Sequence, residues 1–206
     1  QLLTMTKRVF HQQRGDSNKL YSYFEPETAC IAKGKTGKKY EFGSKVSITS
    51  THTSNFIVGA QSYDGCPNDV TTLKSALTQV SEITGTFPLE VYCDKGYRGK
   101  VRHEELPCAI HIPGMNGETT LRQKKKLKRR NAIEPIIGHL KSDYGMDRNY
   151  LKGRIGDEIN ALMASCAYNL KKILKHLRIF VQIFLEAQNP PCMQNNCGFL
   201  CFGIFA

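Results

Sequence analysis

The stretch Leu89-Glu90-Val91-Tyr92-Cys93-Asp94-Lys95-Gly96-Tyr97-Arg98-Gly99 joins a short apolar run to a loop that contains two glycines. The apolar run predicts a buried strand that ends at Asp94. In open α/β sheets, functional groups gather beyond the carboxyl ends of strands, because the strand fixes the residue while the loop leaves room for a ligand. Asp94 is therefore a candidate site residue, although an Asp in an Asp-x-Gly turn more often only accepts hydrogen bonds from backbone N–H groups.

Further strands and helices alternate around this stretch. Residues 40–48 alternate apolar and polar side chains with a break at Ser44, and a polar turn joins them to the apolar run 56–60. Apolar residues at helical spacing then predict a helix over 70–83, and 108–112 is another short strand candidate. This order predicts a layered α/β domain with a mixed sheet, followed by helices that include a long one from about Asp157 to Ala187.

Composition limits the class of protein. The chain has 206 residues, of which 40% are apolar and 23% charged, so one folded domain with a tail is expected. The net charge of +11 indicates a polyanionic partner, with nucleic acid the first expectation and an anionic membrane surface the second. The eight cysteines follow no secretory segment, and no apolar run is long enough to span a bilayer. We therefore expect reduced thiols and a cytoplasmic location. A protein of the membrane surface is disfavoured, because the cations cluster in a loop and not along an amphipathic face.

Glu134 lies at the start of a predicted helix and has two interpretations. Asn131 and Glu134 are spaced as a capping box, and Pro135 is tolerated in the first turn of a helix. If helical geometry extends upstream, Arg130, Glu134 and Lys141 instead form one stripe along the helix. A carboxylate between two cations suits a site for metal and phosphate.

The segment Arg122-Gln123-Lys124-Lys125-Lys126-Leu127-Lys128-Arg129-Arg130 is the densest charge cluster of the chain. Because like charges this close repel, we expect a solvated or flexible segment that becomes useful when an anion neutralises it. Contact with nucleic-acid phosphates is the favoured interpretation, ahead of a nuclear-localisation signal and a plain solvated loop. The candidate DNA-binding side chains of the run are Lys124, Lys125, Lys126, Lys128, Arg129 and Arg130.

The Asp94-to-Gly99 loop followed by Arg130-x3-Glu134-x6-Lys141 resembles the DDE transposases of bacterial insertion sequences, closest to the IS-five and IS-four groups. The segments 40–46, 132–139 and 147–153 also resemble that family, and the similarity spans roughly 20–174. The family's tyrosine three positions before the arginine is Leu127 here.

The resemblance implies a ribonuclease H-like fold, a mixed sheet flanked by helices with a C-terminal helical extension. It also implies metal-dependent DNA cleavage and strand transfer, in which three carboxylates bind two divalent cations, Mg²⁺ or Mn²⁺. Asp94 would be the second carboxylate and Glu134 the third, both as catalytic residues and metal ligands, while Arg130 and Lys141 would face DNA phosphate. The implied partners are DNA at the element ends and target DNA, and the full-length enzyme would be a homo-oligomer.

The first carboxylate of the family has no counterpart in the sequence. It lies in an Asp-Thr-Thr-like segment upstream, and no Asp here precedes a Thr. Turn or cap roles suffice for Asp64 and Asp69. We therefore expect an N-terminally incomplete, C-terminal part of a transposase that binds DNA without cleaving it. The alternative is a noncatalytic basic DNA-binding remnant.

The predicted organisation has three parts. Residues 1–39 form a basic connecting segment with one local structured patch. Residues 40–175 form the catalytic domain without its first strand, and 176–206 contain the end of the long helix and an unpatterned tail.

Overall fold

A computed structural model describes residues 2–32, 37, 39–99, 106–114 and 120–188. The chain divides into two compact units, Gln1–Asn169 and Leu170–Ala206. The tail that the sequence analysis treats as unpatterned, beyond Gln188, lies outside the described residues.

The described residues form five α-helices and six short strands, so the predicted α/β class is confirmed. In chain order these are α1 (Leu2–His11), β1 (Ala29–Ala32), β2 (Tyr40–Gly43), β3 (Lys45–Ser50), β4 (Ile57–Tyr63), α2 (Asp69–Thr84), β5 (Glu90–Tyr92), β6 (Ala109–His111), α3 (Leu121–Arg129), α4 (Ile133–Ser142) and α5 (Gly153–Gln188).

The described strands pair as three two-stranded sheets, where the sequence predicts one mixed sheet. Strands β1 and β2 are antiparallel, β3 and β4 are antiparallel, and β5 and β6 are parallel. The predicted strand over 40–48 divides between two of these sheets. Gly43 has φ +140°, a conformation that side chains other than glycine rarely adopt, and it turns the chain between β2 and β3.

Helix α2 connects two of the small sheets. Its side chains pack on β4, and its residues Leu73 and Leu77 form a core cluster with Cys93 and Ile112, which follow β5 and β6. A second cluster joins Ile57 of β4 to α4 and α5. The loop that follows β5 is thus held against α2.

A bulge in β4 allows Ile57 to reach the second cluster. The pairing register shifts between Thr49 and Ser50, so that Ser50 pairs with Ile57. Because Ile48 pairs with Ala60, this shift places Ile57 on the same face as Ile48. That face packs against the buried side chains of α4 and α5.

The segment 1–39 contains more regular structure than the sequence analysis predicts. Helix α1 covers Leu2–His11 and buries none of its residues, although Leu2, Met5 and Val9 have the spacing of one helix face. Strand β1 pairs with β2, and Ala29 lies opposite Gly43. None of the described helices is long and apolar enough to cross a membrane.

Candidate acidic site and nucleic-acid interface

Asp94 lies where β5 gives way to the glycine loop, as the sequence predicts. It is the N-cap of a single 3₁₀ turn, Lys95–Tyr97, and its Oδ1 accepts a hydrogen bond from the backbone N–H of Lys95 at 2.6 Å. The side chain is 64% exposed. The carboxylate is therefore oriented by its own loop and remains accessible to solvent.

The two glycines of this loop are explained by close packing on the N-terminus of α2. A Cβ at Gly96 would lie 2.2 Å from Oδ2 of Asp69, and a Cβ at Gly99 would lie 2.7 Å from Cγ2 of Val70. Tyr97, between them, packs against the Leu73 cluster, and burial raises its pKa to about 12. The two glycines thus allow the loop that follows Asp94 to lie directly on α2, and a side chain at Gly99 would push the loop away from Val70.

Arg130 forms an ion pair with Asp94, 36 positions earlier in the sequence, with Nη1 2.7 Å from Oδ1. Its side chain is only 17% exposed. Nη2 donates to the Asn131 side chain at 3.0 Å, and Nε is buried with no hydrogen-bond partner in the described part of the chain. The structure thus brings together two of the residues predicted for the site, Asp94 and Arg130.

Glu134 lies one helical turn beyond Arg130, exposed in the first turn of α4. The predicted capping box with Asn131 does not form, since the N-cap residue is Ala132 and has no side-chain bond. The reason is that Ala132 has helical angles, φ −62° and ψ −18°, and continues from a 3₁₀ turn over Arg130–Ala132. Helical geometry therefore extends upstream of α4. Within the described residues, the side chain of Glu134 makes no hydrogen bond or ion pair.

Lys141 contacts a different part of the molecule from Arg130. Its Nζ lies 3.3 Å from Oε2 of Glu41 on β2. The ammonium group and the carboxylate are each more than a third exposed. The two predicted phosphate partners, Arg130 and Lys141, thus have separate acidic partners in this structure.

The basic run forms a helix, α3, where the sequence analysis predicts a solvated or flexible segment. A capping box begins it: the Thr120 side chain accepts from the Gln123 backbone N–H, and the Gln123 side chain accepts from the Thr120 N–H. The Thr-x-x-Gln pattern in the sequence is the local signal for this helix start. The lysines and arginines of α3 repel one another, and contacts of the helix with β5 and with the turn after β3 offset this repulsion.

Two residues anchor α3 to the rest of the domain. Lys126 forms an ion pair with Glu90 of β5 and lies 5.8 Å from the centroid of the Tyr92 ring. Arg129 donates from Nε to the carbonyl of His52 at 2.5 Å and from Nη2 to the carbonyl of Thr53. Lys126 and Arg129 are therefore already engaged within the protein, although the sequence analysis predicts both as DNA-binding residues.

The other lysines of α3 form an open face, which we define as Lys124, Lys125 and Lys128. All three are exposed, and none has an acidic partner among the described residues. At about 100° per residue they span roughly a 100° arc, on the side of α3 away from Lys126. Three ammonium groups on one helix face suit contacts with successive phosphates of a polyanion.

The described residues do not fit a site for two divalent cations. They contain no group of three His, Cys, Asp or Glu side chains that could hold a metal ion. Asp69 forms an ion pair with Lys45 at 2.6 Å, and Asp64 pairs with Arg154 at 3.1 Å. Both aspartates therefore have basic partners within the protein. The N-cap residue of α2 is Asn68, and no side chain caps the helix there, so a cap role for Asp69 is not seen.

A family model described as "Transposase DDE domain" matches residues 11–170. The match covers more than half of the chain and includes Asp94, Arg130, Glu134, Lys141 and the whole of α3. No curated protein and no solved structure shows a significant match to the chain.

Proposed function

Because the chain belongs to the transposase DDE domain family, we propose that it is the DNA-binding and acidic-site portion of an insertion-sequence transposase with a ribonuclease H-like fold. Its DNA partners are the ends of the element and the target DNA. The observation that carries the proposal is the open face of α3, which lies inside the family match and next in sequence to the Arg130–Glu134 segment.

Electrostatics supports DNA as the partner. The chain carries a net charge of +11, and Lys124, Lys125 and Lys128 present their cations on a helix whose position is already fixed by Lys126 and Arg129. A pre-formed helix loses less conformational entropy on binding than a flexible segment does. Each lysine that neutralises a phosphate also releases a condensed counterion from the DNA.

Asp94 and Glu134 are the proposed second and third carboxylates of the catalytic site. Asp94 follows β5 and is joined by Arg130 to the turn that leads into Glu134. We propose that they approach each other at the carboxyl end of β5, and that Mg²⁺ or Mn²⁺ requires a third carboxylate from outside the described residues. In the full enzyme, the domain acts within a homo-oligomer on DNA.

A noncatalytic DNA-binding remnant is the second candidate function. The observation that favours it is the ion pair of Asp94 with Arg130, since a carboxylate paired with a guanidinium is less available to a metal ion. Both candidates require the same DNA-binding surface. They differ in whether a third carboxylate restores strand cleavage.

The salt dependence of DNA binding tests the open face. In the variant Lys124→Ser/Lys125→Ser/Lys128→Ser, we expect the slope of log affinity against log salt to become less steep by about 2–3, because each lost phosphate contact contributes about 0.9. Fluorescence anisotropy with a labelled duplex at several salt concentrations measures this slope.

A matched control removes the same number of charges elsewhere. Lys7, Lys74 and Lys175 are exposed on other helices, so their replacement by Ser changes the net charge equally but leaves α3 intact. We expect this control to change the slope much less. An equal change in both variants would place the DNA-binding surface outside α3.

A further inference from the structure

The counter-ion of Asp94 in this structure is a side chain of the protein itself. We infer that Arg130 occupies the cation position beside Asp94 and competes with divalent metal ions for that carboxylate. This inference rests on the proposed function, because it assumes that Asp94 belongs to the acidic site.

The carboxylate of Asp94 is held in the orientation that Arg130 requires. Oδ1 receives the backbone N–H of Lys95 at 2.6 Å and lies 2.7 Å from Nη1 of Arg130. The loop around it is packed on α2 through Gly96 and Gly99. Asp94 therefore cannot swing far from Arg130 without loosening the loop.

Arg130 is equally constrained. It follows directly on Arg129, whose guanidinium is bonded to two backbone carbonyls, and its own side chain is mostly buried. With Nε buried and unpaired in the described chain, the ion pair with Asp94 compensates much of the cost of removing the guanidinium from water. A metal ion that took over Asp94 would leave this cation without its acidic partner.

Repulsion adds to this cost. A divalent ion bound to Asp94 would lie within a few ångströms of the guanidinium, and like charges at that distance repel even where solvent screens them. Affinity of Asp94 for a divalent ion should therefore be low in the native chain. It should rise when the charge of Arg130 is removed.

Paramagnetic broadening by Mn²⁺ tests the inference without DNA and without measuring cleavage. The Mn²⁺ concentration that half-broadens the backbone amide signals of Lys95 and Gly96 is compared in the native chain and in Arg130→Gln. We expect Arg130→Gln to need roughly three- to tenfold less Mn²⁺. Adding Asp94→Asn to that variant should abolish the gain, and Arg130→Lys, which keeps the charge, should remain close to native.

The native chain provides a second test that needs no substitution. During a Mg²⁺ titration, the Lys95 amide and the Arg130 Nε–H signals should shift with the same midpoint, because metal binding and loss of the ion pair are one event. Equal Mn²⁺ midpoints for native and Arg130→Gln, or separate Mg²⁺ midpoints for the two signals, would overturn the inference. Neither result affects the salt-slope test of α3, so the two proposals fail separately.

Discussion

Glu90 is the most strongly perturbed carboxyl group among the described residues. It accepts hydrogen bonds from Lys126 and from the hydroxyl of Tyr92, the latter at 2.7 Å. The bond from Lys126, followed by the one from Tyr92, lowers the pKa of Glu90 from 4.5 to about 2. Since this pKa is lower in the folded than in the unfolded chain, the associated stability is present above about pH 4.5 and is lost as the pH falls toward 2.

Replacing Lys126 by Met should raise the pKa of Glu90 toward 4.5, because it removes the largest cause of the shift. Carboxyl ¹³C NMR during an acid titration measures that pKa, and the loss of stability between about pH 4.5 and 2 should become smaller. Lys125→Met, the next residue and part of the open face, is the control and should leave the pKa of Glu90 low. If the pKa of Glu90 were the same in both variants, the ion pair with Lys126 would not be the contact that anchors α3 to β5.

The sequence could not separate the anchoring residues from the open face. Lys126 and Lys125 have identical side chains in one charge run, and only a partner 36 positions away distinguishes them. Arg129 is bonded to a backbone carbonyl 77 positions away. Asp94 could be predicted because its position depends on a local pattern, an apolar run that ends before a glycine loop.

The contact between the glycine loop and α2 positions Asp94. Gly99 faces Val70, whose branched side chain has little freedom to move in a helix. Gly99→Ala should therefore lower the free energy of unfolding by about 1–3 kcal/mol through overpacking. Urea denaturation followed by circular dichroism measures the change.

Two variants complete this test of the loop. Gly138→Ala is the control, because a Cβ at Gly138 of α4 would meet no atom within 4 Å, and alanine is the better helix former. It should leave the stability unchanged or raise it. Combining Gly99→Ala with Val70→Ala should recover part of the loss. A loss in Gly99→Ala that the second substitution does not reduce would point to another cause.

Elements that are stabilised by contacts between residues close in sequence could be predicted, and elements that depend on contacts between distant residues could not. Helix α2 was predicted closely, because its apolar spacing and the glycine that ends it are local. The turn between β3 and β4 was also predicted. The division of the strands into three sheets could not be predicted. For example, no local sequence signal indicates that β5 pairs in parallel with β6.

The described part of the chain supplies two of the three carboxylates that the proposed catalytic site needs. Asp94 and Glu134 are 40 positions apart and are linked through Arg130, while Asp64 and Asp69 are engaged in ion pairs with other residues. Two divalent cations need oxygen ligands from three carboxylates, and Mg²⁺ tolerates little departure from octahedral geometry. The pair Asp94 and Glu134 alone does not meet that requirement.

The 206-residue chain should therefore bind DNA without cutting it in Mg²⁺ or Mn²⁺. A labelled duplex that carries an element end, incubated with the chain and resolved on a denaturing gel, measures cleavage at a protein concentration that saturates binding. Strand cleavage should appear only when a polypeptide that supplies the third carboxylate is added or fused, and it should then be lost in Asp94→Ala and in Glu134→Ala. Cleavage by the chain alone that both substitutions abolish would mean that a third carboxylate lies within it. Asp69 would then be the first to replace, because its Oδ2 already lies against the loop that carries Asp94.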